Sequence, residues 1–577
     1  MGDQKNLILA FGLALGVLLI WDMFVFQPER QRAEAELAAQ EAAQSAQQAT
    51  QSAKGALAPP SAPGGTVSAP ALDRQSVISA SERLAFSNRR IRGSIALTGG
   101  VLDDLVLTDY TQTVSGDGNV VLLSPRNTQS PYLIQMGWIA PSGNAVNVPT
   151  AGTIWTTSDT ALTPQTPVTL TWDNGSGLLF KRTFSLDEDY LFDITQTVEN
   201  SSGQDIQLYP YGRIYRENLP DLENFFVLHE GPLGVFDGTL EEKKYDKIRD
   251  DGKQTFTSQD GWVGITDKYW LTTLVPNQGE NFRAEMEQVQ GRDDAFSVSF
   301  VEDARTIPAG GSASVTNAAF VGAKEVKLID AYEQKLGIRM FDRTIDWGWF
   351  YFLTKPIFYA LNFLYALVGN FGIAIILLTV VIKAILFPLA NKQFESFAKM
   401  KVLQPKIKVL QERFKDDKQK LQMEMMQLYK KEKVNPLSGC LPIFVQIPIF
   451  FSLYKVLFVT IEMRHAPFYG WIKDLSEPDP LTPLNLFGLL DFSPPAFIAI
   501  GIWPILMGVS MWLQQKMNPT PMDPMQAKIM GFLPIMFTFI LAPFAAGLVI
   551  YWTWNNLLSI LQQWIIQRKI MSKAATT

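Results

Sequence analysis

The stretch FGIAIILLTVVIKAILFPL, Phe371–Leu389, decides how this chain is read. As a helix rising 1.5 Å per residue it reaches roughly 28 Å, close to the ~30 Å hydrocarbon core of a bilayer. It carries a single charge, Lys383, near its far end. The loop that follows, Asn391–Cys440, holds twelve Lys/Arg against six Asp/Glu. The next long loop, Glu462–Ser493, holds two Lys/Arg against five Asp/Glu. Cytoplasmic loops carry the excess of Lys and Arg, so the first loop is cytoplasmic and the second is not.

Outward from that stretch, four more apolar runs read as spans: 441–461, 495–513, 529–542 and 546–566. Arg568, Lys569 and Lys573, the last in the short tail 571–577, fit a cytoplasmic C-terminus. Upstream, residues 1–28 include the apolar run Leu7–Phe26, interrupted by Asp22. Signal-peptide cores are shorter, and Trp21, Phe24 and Phe26 poorly precede a small-residue cleavage site, so this run reads as a retained anchor. Residues 29–72 are Ala/Gln/Glu-rich and then Pro/Gly-rich, the composition of a linker.

Residues 73–330 change period. Val168–Trp172 alternates, Asp173-Asn174-Gly175-Ser176-Gly177 turns the chain, and Leu178–Leu186 returns. Tyr190–Val198 alternates again before Asn200-Ser201-Ser202-Gly203. Period-two runs parted by Asn/Gly/Asp turns indicate an antiparallel sandwich or barrel. Between this domain and the first quoted stretch lies 331–368, apolar at helical spacing and rich in Trp and Tyr. With the N-terminus inside and the β domain outside, a single crossing must return the chain before Asn391. Two crossings would put the basic loop outside. The segment 331–368 is therefore expected to lie on the outer surface as interfacial helices. That gives six spans with both ends in the cytoplasm.

Several chemistries are missing. The single cysteine, Cys440, excludes an internal disulfide, and with only His229 and His465 there is no zinc or iron cluster to propose. No phosphate-binding G-x-x-x-x-G-K-[ST] loop, G-x-S-x-G elbow or H-E-x-x-H pair occurs. The chain reads as a non-enzyme with no cofactor and no direct nucleic-acid specificity.

The polar groups inside the spans carry the functional question. Lys383 either lines a polar groove or snorkels to the headgroups. Thr379 lies one turn earlier on the same helix face and either joins that groove or bonds back to its own helix. Gln446 lies between Pro442 and Pro448. Trp552 and Asn556 share one face of the last span, Tyr551 and Asn555 a neighbouring one. Each alone is an ordinary helix–helix contact. With Lys383 they would line one wet cavity. Lys455 is a second charge, facing either the groove or the headgroups. The cytoplasmic segment 391–434 reads as a helical hairpin. Leu403, Ile407, Leu410 and Phe414 stripe one arm, and Leu421, Met425 and Leu428 the other, with Pro405 expected to kink the first. Its charges form either a solvated face or a docking surface for ribosomes, targeting factors or nascent chains. The basic excess also suits anionic lipid.

Specific stretches now match a known pattern: Gly369-Asn370-Phe371-Gly372, Lys399–Ile407, Glu432–Cys440, Gln446-Ile447-Pro448-Ile449-Phe450 and Asp523-Pro524-Met525-Gln526. They make residues 335–570 resemble the YidC family of membrane protein insertases. The anchor, linker and β domain resemble that family's long, Gram-negative form. The resemblance implies an α+β membrane protein of the bacterial inner membrane. A periplasmic antiparallel β-supersandwich, similar to sugar-binding folds, would precede an insertase membrane domain over 369–570. It implies nascent membrane proteins as substrates and the Sec translocon as a partner. It also implies a groove open to cytoplasm and lipid, in which Lys383 takes the place of the usual arginine, with Thr379, Gln446, Trp552 and Asn556 as further groove residues. Lysine keeps the charge and loses the planar two-pronged fork. Pro543 and Ala545 depart from the pattern, and the short tail lacks the basic extension of some relatives. Two other readings stand against this one. A transporter would show paired broken helices, and no second copy of the lysine span occurs. A carbohydrate-active enzyme would need a catalytic cluster in the β domain, which offers the one histidine His229.

Overall fold

The computed structural model describes residues 72–576, except 143–145, 221–227, 293, 415–416, 433–440, 488, 491–498 and 519–523. The expected anchor 1–28 and nearly all of the linker 29–72 lie outside the described residues.

Alternation builds the first half. In the strand Leu178–Leu186 every even-numbered residue is buried and every odd-numbered one is partly exposed. It pairs in antiparallel register with Val168–Asp173 on one side and Leu191–Asn200 on the other. These strands end an eight-stranded sheet that continues through Ser312–Ala323, Trp270–Val275, Gly261–Thr266, Gly231–Phe236 and Thr239–Glu242. An eleven-stranded sheet faces it, its path running from Gln254–Ser258 to Ala161–Leu162. Among the described residues the named strand pairings are antiparallel except the two-residue pairing of Arg83–Ser87 with Ala161–Leu162. Phe180, Phe184, Phe192 and Trp138 fill the space between the sheets. Burial of each such side chain contributes roughly 1.5–3 kcal/mol.

The helices, in chain order, are α1 (Arg74–Ser79), α2 (Tyr245–Asp251), α3 (Val326–Leu336), α4 (Tyr351–Val368), α5 (Phe371–Ile385), α6 (Phe387–Arg413), α7 (Lys418–Lys431), α8 (Leu441–Val459), α9 (Ile502–Met517), α10 (Pro524–Leu541) and α11 (Ala546–Thr576). The sandwich and the bundle of α4, α5, α8 and α11 share one buried apolar cluster. Trp262 meets Phe341 edge-on at 5.5 Å, and Trp347 meets Phe358 at 5.8 Å. The loop after α8 adds polar ties. The Arg464 guanidinium donates to the carbonyls of Thr111 and Gln112, and Glu462 accepts from the Val326 amide at the start of α3. Burial pushes the Glu462 carboxyl up to about 7.

Two expectations differ in detail. The stretch 371–389 is not one rod: α5 stops at Ile385 and the axis turns by 71° into α6. Pro388 explains the break, because it lacks an N–H and its ring crowds the carbonyl of Ala384, whereas near the start of a new helix it costs little. The expected span 495–513 corresponds to a helix from Ile502 to Met517, so its polar end, Gln514-Gln515-Lys516, stays helical. Pro405 lies within α6, which continues helical to Arg413. In the compact unit formed by 403–435, Leu403 and Ile407 are buried, and Lys406 pairs with Glu432 at 2.8 Å.

Among the described residues α4 is long and apolar enough to cross a membrane, and α5 with α6 counts as a second crossing if the bent pair is one span. Yet α4 also carries a polar stripe. Tyr351, Lys355 and Tyr359 follow one another at four-residue spacing. The Tyr351 hydroxyl donates to Asp342, Lys355 Nζ to Asp330 and Asp342 at 2.8 Å each, and the Tyr359 hydroxyl to Asp330.

Candidate functional site

Between α8, α9, α10 and α11 lies a cavity of about 270 Å³. Its lining includes Gln446, Phe450, Gln514, Tyr551, Trp552 and Asn556. The polar members are held, not loose. Gln446 Nε2 donates to the Tyr551 hydroxyl at 2.7 Å. Asn556 Nδ2 donates to Ser510 Oγ at 3.0 Å, and that hydroxyl donates to the Met507 carbonyl. Trp552 is fixed between rings, 4.7 Å from Phe450 and 5.8 Å from Phe537. The close approach of α9 to α10 depends on Gly508, where a Cβ would fall 2.0 Å from Thr538 Oγ1. Small residues let membrane helices meet this way.

Lys383 stands in the last turn of α5, two residues from its end. Its Nζ donates to Ser559 Oγ on α11 at 2.7 Å. Ser559 Oγ in turn donates to the carbonyl of Asn555, a cavity-lining residue. The lysine thus reaches across to α11 and is linked to the cavity wall through one hydroxyl. Among the described residues no carboxylate lies within ion-pair distance of it. At 4 Å, in an effective dielectric of about 20, a carboxylate would be attracted by about 4 kcal/mol. Thr379 behaves otherwise. It is buried, and its hydroxyl donates to the Ile375 carbonyl at 2.7 Å, one turn back in its own helix. The structure brings Gln446, Trp552 and Asn556 to one cavity, sets Lys383 beside it, and turns the Thr379 hydroxyl away.

Sequence reasoning missed Ser510, Gln514 and the polar edge of α11. Asn556, Ser559, Gln563 and Gln567 recur at helical spacing. Gln563 Nε2 donates to Asn518 Oδ1 at 3.0 Å and Gln567 Nε2 to the Met517 carbonyl at 2.9 Å. That stripe in the final apolar run was the available signal. Lys455 is resolved differently from either reading offered. It pairs with Asp346 at 2.8 Å, outside the groove.

The description "60Kd inner membrane protein" matches residues 363–573, and "YidC periplasmic domain" matches residues 83–360. Over 98% of its length the chain is 46% identical to the membrane protein insertase YidC of Methylobacterium nodulans, covering 95% of that protein. It is 47% identical to the namesake of Rhizobium meliloti over 99% of this chain and 96% of that one. This chain belongs to the YidC family of membrane protein insertases. It is accordingly an inner membrane protein in which a periplasmic β-sandwich precedes a helical region. Among solved structures, a crystal structure of active YidC insertase with its first transmembrane domain resolved aligns over 82% of this chain and 90% of that one. The identity is 18% and the TM-score 0.36. A galactose mutarotase related enzyme from Lactobacillus acidophilus aligns over 42% of this chain and 97% of its own, at 9% identity and TM-score 0.29.

Proposed function

We propose that this insertase takes the polar end of a nascent membrane segment into the cavity between α8, α9, α10 and α11, with Lys383 as the charge that draws it in. The observation that carries the reading is a cation within a helix bundle whose partner, among the described residues, is one hydroxyl and no carboxylate. An incoming acidic or polar group replaces the Ser559 bond and offsets part of the cost, roughly 2–7 kcal/mol for a polar group, of entering hydrocarbon. Gln446 and Asn556 supply exchangeable hydrogen bonds, and Trp552 with Phe450 supplies an apolar wall. The segment's apolar residues then leave against the lipid-facing sides of α8 and α11. Thr379 belongs to this set as a packing residue, since its hydroxyl is already bonded within α5. No bond is made or broken, so the protein works as a chaperone and not as an enzyme, without nucleotide or cofactor.

The topology we propose has six spans, both termini in the cytoplasm and the sandwich in the periplasm. The charge contrast between 391–440 and 462–493 supports it. We read α4 as interfacial, because its Tyr351–Lys355–Tyr359 stripe ties it to Asp330 and Asp342 beside the sandwich. The basic hairpin 391–434 is the docking surface for ribosomes or targeting factors and for anionic lipid. The protein works alone or with the Sec translocon as its partner.

The test is site-specific photocrosslinking to a stalled nascent membrane protein in native vesicles. Probes at 383, 446, 552 and 556 should capture the nascent chain, and a probe at 379 should capture it poorly. Uptake of a small solute into vesicles, with no nascent chain caught at any of these positions, would instead establish the transporter reading.

A further inference from the structure

A second and larger cavity, of about 680 Å³, lies outside the groove, between the sandwich, the segment 343–350 and one side of α8. Its inner end is built around Asp346. One carboxylate oxygen accepts from Lys455 Nζ at 2.8 Å and from the Gly348 amide at 3.1 Å, and the other accepts from the His229 amide at 3.1 Å. The Lys455 stem crosses the backbone at Gly348, whose φ is +72° and where a Cβ would lie 2.9 Å from Lys455 Cε. The His229 ring is also committed, with Nε2 3.1 Å from the Pro232 carbonyl oxygen. Burial holds the ring neutral, down to about 4. These groups make a closed, rigid floor.

The mouth differs from the floor. Ile447 and Phe451, one turn apart on α8, line it and are 45% and 41% exposed. Phe350 and Trp349 line it as well, and Trp349 is almost fully exposed. Two further cations, Lys244 and Arg343, border the same space, as do the carboxylates of Glu242 and Asp346. Arg343 is braced by stacking 3.6 Å over the Tyr351 ring. Among the described residues neither Lys244 nor Arg343 stands in an ion pair. Fixed cations above an open apolar wall match a molecule with a phosphate at one end and a hydrocarbon chain at the other.

We propose that this cavity binds one phospholipid of the outer leaflet, with its phosphate between Lys244 and Arg343 and its acyl chain along Ile447, Phe451 and Phe350. The proposal rests on the topology above, which sets the sandwich and the Asp346 end of the cavity at the periplasmic face and runs Phe451 and Ile447 down into the bilayer. The lipid would cement the sandwich to α8 without entering the insertion groove.

The test uses the full-length protein in vesicles containing a phospholipid with a photoreactive acyl chain, with labelled peptides mapped by mass spectrometry. Phe539 on α10, exposed and apolar, reports ordinary contact with bilayer lipid. Labelling at 447–451 should exceed that at Phe539. It should fall about ten-fold in Lys244→Gln/Arg343→Gln, while Phe539 is unchanged. Equal labelling of 447–451 in both proteins, or labelling no stronger than at Phe539, overturns the site and leaves the topology standing. Absence of label at Phe539 as well overturns both. Native mass spectrometry of the purified protein gives a second readout: one phospholipid retained by the wild type and lost from Ile447→Trp, which fills the mouth. Retention by that variant also overturns the proposal.

Discussion

Two of the cations inside this molecule have surroundings that differ. Arg182 occupies an inward position of the alternating strand Leu178–Leu186, deep between the two sheets. Its guanidinium donates to the carbonyls of Gly99, Gly100 and Met136 and lies 4.7 Å from the Trp155 ring. Even so, burial lowers it to about 10. Lys383 sits in the helical half with one hydroxyl as partner. The arginine donates three bonds within its own domain and is enclosed there, with only Nε left unbonded, so no ligand reaches it. The lysine has three donors and one named acceptor, so capacity remains. A buried charge reads as structural where the fold encloses it among its own acceptors, and as functional where donors stay within a ligand's reach.

Exchanging the character of either site breaks that contrast. The largest effect is expected from Lys383→Glu. Reversing the charge turns an attraction of about 4 kcal/mol into a comparable repulsion, so insertion of single-span substrates with acidic translocated ends should fall more than about a hundred-fold. Lys383→Arg should keep activity. Both are read by protease protection of the substrate in reconstituted vesicles, and normal insertion by the glutamate variant would end the charge-attraction model.

Next is Arg182→Ala, which orphans three carbonyls in the sandwich and should cost about 3 kcal/mol of its stability, a drop of roughly 10 °C in melting temperature. Insertion by the protein that stays folded should be unchanged. Calorimetry beside the insertion assay separates the two results, and a loss of insertion without a loss of stability would erase the distinction.

Asn556→Leu is smaller. It removes one exchangeable bond from the cavity and leaves Ser510 without its donor, so insertion should slow about ten-fold. Crosslinks from position 446 should weaken with it.

The smallest effect concerns the tie between the halves. The folded state of Glu462 binds its proton more tightly than the unfolded chain does, so stability is greatest at low pH. It declines as pH rises from the ordinary glutamate range through about 7, and is flat above. Glu462→Gln should flatten that slope while the amide oxygen still accepts from Val326, as measured by thermal unfolding between pH 5 and pH 8 (roughly the window the shift spans). An unchanged slope would move the titration to another group.

The strands were legible because two-residue alternation is strong where one face is buried, as in Leu178–Leu186. The same rule hid Arg182, a charge at a position the pattern assigns to an apolar side chain. The groove was legible in part. Gln446, Trp552 and Asn556 stand out because polar groups are scarce in apolar runs. Ser559 does not, since a helix hydroxyl ordinarily bonds back to its own turn, as Thr379 does. The end of α9 was missed for a related reason. Gln514 and Gln515 look like the exit from a span when read in sequence, yet they stay helical and face a wet cavity. The break at Leu386 follows from Pro388, but an apolar run gives no angle.

The polar edge of α11 has one more consequence. From Asn556 to Gln567 its contacts with α9 are side-chain amides meeting a hydroxyl, an amide oxygen and a backbone carbonyl. Such teeth are two turns and then one turn apart, and exchange readily with water. The seam between the two helices therefore behaves like a zip fastener that starts at the wet end. Each bond given up leaves room for one solvent molecule, so the seam is built to part in steps of one or two helical turns.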